Sequence, residues 1–171
     1  MYRNTKRKKQ WDPAPTNDQP CVTSHDDLAR AIVPVGYRLT GHGLVMDHLI
    51  RCSPTATLVE ARWSARSRRP GWSAAALRNH YGERYIELGY LLGNTAYREP
   101  GVIQIAQLEQ GVARLLELLE RGKSPLILLC ACRDYAQCHR RVICEAVQQV
   151  DQRVKIWQPE QVWPWLCRQV W

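Results

Sequence analysis

Two adjacent stretches restrict what this chain can fold into more than any other feature. The first is a helix-spaced apolar stripe from Ile103 to Arg121, and the second is the uninterrupted apolar run from Pro125 to Cys130 directly behind it. In the stripe, Ile105, Leu108, Val112, Leu115, Leu116 and Leu119 return at the period of one helix face, and Gly122 provides the stop. The run is short and apolar at every position, the pattern of a strand covered on both faces. Such strands sit in parallel sheets layered between helices.

The rest of the chain repeats this alternation. Further strands are predicted at Gly36 to Thr40, Ala56 to Ala61, Arg84 to Leu88 and Val154 to Trp157. Helices are predicted at Val45 to Arg51, Ser73 to Tyr81 with Ser73 as its cap, Cys138 to Val150 and Pro159 to Trp171. Gly89, Gly93, Asn94, Pro100 and Gly101 mark a long loop. The expectation is an α/β three-layer sandwich with a mostly parallel sheet of about five strands. With 171 residues and 45% hydrophobic content, the chain suits one core. That domain is taken as residues 35–171, preceded by a flexible basic arm over 1–34.

The arm carries Lys6, Arg7, Lys8 and Lys9, and Pro13, Pro15 and Pro20 break regular structure. It reads as a solubilising tail or as a contact for nucleic acid. A formal net charge of +8 favours anionic partners, either a small molecule or nucleic acid. Seven cysteines, an odd number placed mostly in apolar surroundings, argue against a secreted disulfide framework. No apolar run approaches the roughly 20 residues that span a bilayer. These features point to a cytoplasmic protein without a membrane partner. No cofactor is identifiable, since Gly41-His42-Gly43 lacks the third glycine of a dinucleotide fingerprint.

Ligands of open parallel sheets bind beyond the carboxyl ends of the strands. Applied strand by strand, that rule collects His42, then Glu60 and Arg62, then Ser67 and Arg68 in the following loop. It adds Tyr85, Cys130, Cys132, Cys138, His139 and Arg140. Arg62, Ser67, Arg68, Tyr85, Cys130 and Arg140 are assigned to anion and substrate binding, because guanidinium groups offer planar bidentate donors. Cys138, His139, Glu60 and His42 are the candidate catalytic groups. Cys138 opens a helix beside His139 and Arg140, where the dipole and a cation favour thiolate.

Two familiar site types do not fit. Phosphatase-like and rhodanese-like loops close over a shorter interval than the seven residues between Cys132 and Arg140. Cys130, Cys132, Cys138 and His139 offer sulfur and nitrogen ligands, yet they lack the twice-repeated close pairing of a zinc ribbon or knuckle. The sequence reading therefore assigns no metal.

The motifs together resemble the family catalogued as domain of unknown function 488. Leu39-Thr40-Gly41-His42-Gly43 is similar to its Thr-Ile-Gly-His-Ser turn, and Val59-Glu60-Ala61-Arg62 to its Val-Asp-Val-Arg strand. Ser67-Arg68, Pro70-Gly71-Trp72, Tyr85, Leu92-Gly93, Leu128-Leu129-Cys130-Ala131 and Cys138-His139-Arg140 follow in order. Three positions depart from the pattern: Glu60 for an aspartate, Trp72 for a phenylalanine, and Cys132 for an acid. The resemblance spans Tyr37 to Trp157 and implies a fold and a site, but no reaction.

Three functions compete on these grounds. The first is an enzyme for an anionic, nucleotide-like or nucleic-acid-derived substrate, with Arg62, Arg68 and Arg140 on the anion, Cys138 or His139 reacting, and Glu60 as orienter or base. The second is a non-catalytic nucleic-acid binder using the arm and the Arg66 to Arg69 loop. The third is a Cys/His metal protein.

Overall fold

A computed structural model describes residues 20–169. Lys6, Arg7, Lys8 and Lys9, and with them the proposed nucleic-acid contact of the arm, lie outside the described residues. Five parallel strands form one sheet: β1 (Ala31–Gly36), β2 (Thr57–Glu60), β3 (Tyr85–Glu87), β4 (Leu126–Cys130) and β5 (Lys155–Ile156), in the order β3-β2-β4-β1-β5. The all-apolar run is the central strand and is buried along its whole length, as its composition demands.

Alternate strand residues feed two separate cores. Val33, Val35, Leu58, Ile127 and Leu129 face α2 (His42–Cys52), α3 (Ala74–Tyr81) and α7 (Pro159–Gln169). Ile32, Val59, Leu126 and Leu128 face the short α4 (Gly89–Leu92), α5 (Leu108–Glu120) and α6 (His139–Val150). The result is the expected three-layer α/β sandwich. A short α1 (His25–Leu28) precedes β1. Among the described residues no helix is long and apolar enough to cross a membrane.

Two expectations are corrected. The first strand is Ala31–Gly36 rather than Gly36 to Thr40, so the boundary drawn between residues 34 and 35 falls inside a strand flanked on both sides. Pro34 concealed it, because proline cannot donate to a ladder. Here the ladder tolerates it: β5 pairs only with Ala31 and Ile32, and two residues beyond Pro34 the Gly36 N–H finds His42 Nδ1 instead of a strand. The second correction concerns the long helix, which starts at Leu108 rather than Ile103, because Ile105 is held in an antiparallel bridge with Asn94.

Candidate functional site

The carboxyl ends of β1, β2 and β4 surround a cavity of about 270 Å³. Cys130, Cys132 and His139 lie at its base, Arg38, Arg62 and Arg66 on its walls, and Tyr37, Trp63 and Tyr97 add aromatic surface. No carboxylate belongs to the lining. Trp63 and Tyr97 are exposed, at 47% and 50%.

One wall is fixed by a closed ion pair. Glu60 is buried at the end of β2, on the face packed by α3. Its Oε1 accepts from the Arg62 backbone N–H at 3.0 Å and from Arg62 Nε at 2.6 Å; its Oε2 accepts from Arg62 Nη2 and from the Tyr85 hydroxyl, the latter at 3.0 Å. Arg62 Nη1 donates to the Trp72 carbonyl at 2.9 Å, and the guanidinium lies over the Tyr37 ring, 5.2 Å from its centre. Tyr37 in turn stacks on Trp72 at 4.6 Å. Burial works against the charge of Arg62, but the hydrogen bond and charge of Glu60 more than offset it and hold the guanidinium cationic. Burial, reinforced by the Glu60 charge, pushes the Tyr85 phenol well above its ordinary range. Glu60 thus orients an arginine and has no lone pair turned towards a substrate.

The floor is of another kind. Cys130 ends β4 on the opposite face of the sheet, where α6 packs. The turn after it doubles back, because Asp134 Oδ1 accepts from the Ala136 N–H at 2.9 Å and the Cys138 N–H reaches the Tyr135 carbonyl at 3.1 Å. That return sets Cys138 at the N-cap of α6 and His139 at its first position. Cys130 Sγ lies 3.5 Å from Cys132 Sγ and 3.7 Å from Cys138 Sγ, while His139 Nδ1 is 3.8 Å from Cys130 Sγ and 3.7 Å from Cys138 Sγ. All four atoms fall within 4.8 Å of one another. The sequence offered these four residues as sulfur and nitrogen ligands, but their spacing matches no zinc ribbon or knuckle, and only the turn brings them together.

Arg140 does not hold an external anion as expected. It is 0% exposed, and its Nε donates to Cys138 Sγ at 3.3 Å and its Nη2 to the Cys132 carbonyl at 3.1 Å. Gly36 makes room for it: a Cβ there would meet the Cys132 carbonyl oxygen at 2.2 Å and Arg140 Nη2 at 2.9 Å. Hydrogen bonds from Cys130 and Cys132, aided by His139 and the Arg140 charge, hold the Cys138 thiol far below its ordinary pKa. For Cys130 the Cys132 hydrogen bond lowers the pKa, but Cys138 and burial prevail and push it up to about 11. Burial first of all pushes Cys144, elsewhere on α6, up to about 12, in keeping with a packing role.

The remaining sequence candidates divide. Tyr85 serves the Glu60 pair. Ser67 Oγ lies 3.3 Å from the Tyr37 hydroxyl and accepts from the Arg69 N–H at 3.1 Å, so it shapes the wall from behind. Arg68 is exposed and outside the cavity lining. His42 is buried and lies outside the lining too, with Nδ1 on the Gly36 N–H at 3.1 Å and Nε2 on Glu160 Oε1 at 2.9 Å, tying β1 to α7. Cys138 is fully buried, so the accessible sulfur is that of Cys132. Sequence reasoning missed Arg38, Trp63 and Tyr97. Arg38 was hidden by the misplaced first strand; with β1 ending at Gly36, the rule of strand ends would have found it.

A sheet whose carboxyl ends gather ion pairs, thiols and arginines around one cavity defines an α/β protein with an edge-of-sheet site. The family model described as a domain of unknown function, DUF488, matches residues 45–147, and the chain belongs to that family. No curated protein and no solved structure matches it.

Proposed function

We propose that the protein is an enzyme acting on an anionic, nucleotide-like substrate bound in this cavity. The observation that carries the reading is the lining: three arginines without a carboxylate, beside exposed aromatic rings, above a floor of thiols and imidazole. Arg62 presents a guanidinium whose orientation Glu60 already fixes, which lowers the entropy lost on gripping a phosphate. Arg38 and Arg66 supply further charge, and Trp63 and Tyr97 offer faces on which a base can stack. The volume suits a ligand of nucleotide dimensions only in part, so the sugar or base extends towards the open side where Trp63 stands.

The test uses nucleoside monophosphates and inorganic phosphate as probes, with Trp63 fluorescence and calorimetry as readouts and product analysis for turnover. Arg38→Ala and Arg66→Ala should each weaken nucleotide binding about tenfold or more, the value of a charged hydrogen bond. Raising salt should weaken it further. Equal affinity in wild type and in both variants would sink the proposal. Arg62→Ala is a poorer probe, because it strands Glu60 in the core.

A further inference from the structure

The thiol and imidazole floor has a geometry that its individual residues do not explain. Three cysteine sulfurs and one imidazole nitrogen face one another, and among the described residues they are the group with metal-ligand chemistry that converges this way. Zinc–sulfur bonds of about 2.3 Å and a zinc–nitrogen bond of about 2.0 Å set tetrahedron edges of about 3.8 Å between sulfurs and about 3.5 Å between sulfur and nitrogen. The observed separations are 3.5 and 3.7 Å for sulfur pairs and 3.7 and 3.8 Å for sulfur–nitrogen pairs. Four edges therefore lie within about 0.3 Å of those a tetrahedral zinc site requires.

The surroundings repeat what metal sites need. His139 Nε2 donates to the Ala61 carbonyl at 2.8 Å, so Nε2 carries a proton and Nδ1 is the nitrogen that faces the sulfurs. Two N–H groups aim at sulfur: the Cys132 backbone N–H at Cys130 Sγ, 3.4 Å, and Arg140 Nε at Cys138 Sγ, 3.3 Å. Arg140 adds a charge argument. It is a buried cation whose hydrogen bonds go to a sulfur and a carbonyl rather than to a carboxylate. A buried charge needs a counter-charge. Three thiolates, a neutral imidazole and one zinc(II) carry a net charge of −1, which supplies it.

We infer that Cys130, Cys132, Cys138 and His139 bind one zinc(II) ion, clamping the turn over residues 131–138 to β4 and α6. In the bound state the three sulfurs are thiolates and the imidazole is neutral, and every proton that Sγ of Cys130, Cys132 and Cys138 or Nδ1 of His139 carried has passed to solvent. The ion also keeps the exposed Cys132 sulfur deprotonated at the floor of the cavity, which deepens the enzyme reading without depending on the substrate named there.

The full chain, purified without added metal, should carry one zinc per chain by elemental analysis. Chelation should expose three further thiols per zinc released, out of the seven in the chain. Cobalt(II) in place of zinc should show sulfur-to-metal charge transfer and tetrahedral ligand-field bands. Cys130→Ser and Cys138→Ser should weaken zinc binding about a hundredfold or more, while Cys144→Ser leaves it unchanged. Where the ligand variants fail to fold, the thiol count on the wild-type protein decides. A wild-type chain that retains no zinc after exposure to equimolar zinc and desalting overturns the inference, as does stoichiometric copper or iron in its place, or a thiol count unchanged by chelation. Arg38→Ala, which disables the anion cavity, should keep its zinc, so the two proposals fail separately.

Discussion

The two faces of the same sheet edge solve the problem of buried polarity in opposite ways. On the α3 face, Glu60, Arg62 and Tyr85 answer one another: each carboxylate oxygen has two donors, and three of the five guanidinium N–H groups go to Glu60 and the Trp72 carbonyl. On the α6 face, Cys130, Cys132, Cys138 and His139 converge on one another, joined only by the long hydrogen bonds of weak thiol donors. The first network satisfies its carboxylate within the chain and leaves two guanidinium N–H groups for a ligand. The second is the ligand set inferred above for zinc. A buried polar cluster thus reveals its role by whether its own members satisfy it.

The sharpest way to break the comparison is Glu60→Ala. It strands the buried Arg62 charge and should cost about 3–5 kcal/mol in urea denaturation, with Glu60→Gln costing less. A loss under about 1 kcal/mol would mean that solvent reaches the pair after all.

Gly36→Ala attacks the other face. The added methyl meets a backbone oxygen and Arg140, neither free to retreat, so about 1–3 kcal/mol of stability should be lost. Zinc retention should fall with it, while the Glu60 network survives. Unchanged zinc content in a destabilised Gly36→Ala protein would uncouple Arg140 from the cluster.

Tyr85→Phe removes one hydrogen bond to Glu60 and leaves the carboxylate its three bonds from Arg62. About 1 kcal/mol should be lost, with zinc content unaffected.

The smallest effect concerns the tie between the sheet edge and α7. Burial raises the Glu160 pKa, but hydrogen bonds, that of His42 first, outweigh it and leave the carboxyl below its ordinary value. A depressed carboxylate stabilises the fold above its unfolded pKa, and that contribution drains as pH falls through the lower folded value. Glu160 is half exposed, so screening limits the contribution to about 1 kcal/mol at most. Denaturation followed from neutral to acid pH should show a shallower decline in Glu160→Gln than in wild type. Identical slopes would remove Glu160 from the account of acid stability.

Local physics made much of this legible in the sequence. Apolar runs of strand length, a helix-period stripe and Ser73, whose hydroxyl accepts from the Ala76 N–H, announced a layered parallel sheet before any contact was known. The rule of strand ends then located Glu60, Arg62, Cys130 and His139, because side chains following parallel strands emerge on one edge. Where the local signal was contradictory, the reading failed: Pro34 erased β1, and Arg38 was lost with it.

The tertiary structure alone decided how those residues pair. Glu60 and Arg62 stand two apart on one strand end, yet their pairing depends on Tyr85 from a neighbouring strand and Trp72 from a loop. Cys130 and Cys138 stand eight apart and meet because a turn reverses between β4 and α6. Sequence period fixes which face of an element a side chain occupies. Which side chains meet, and whether they satisfy one another, depends on turns and crossings that bring distant segments together, and no local pattern encodes that.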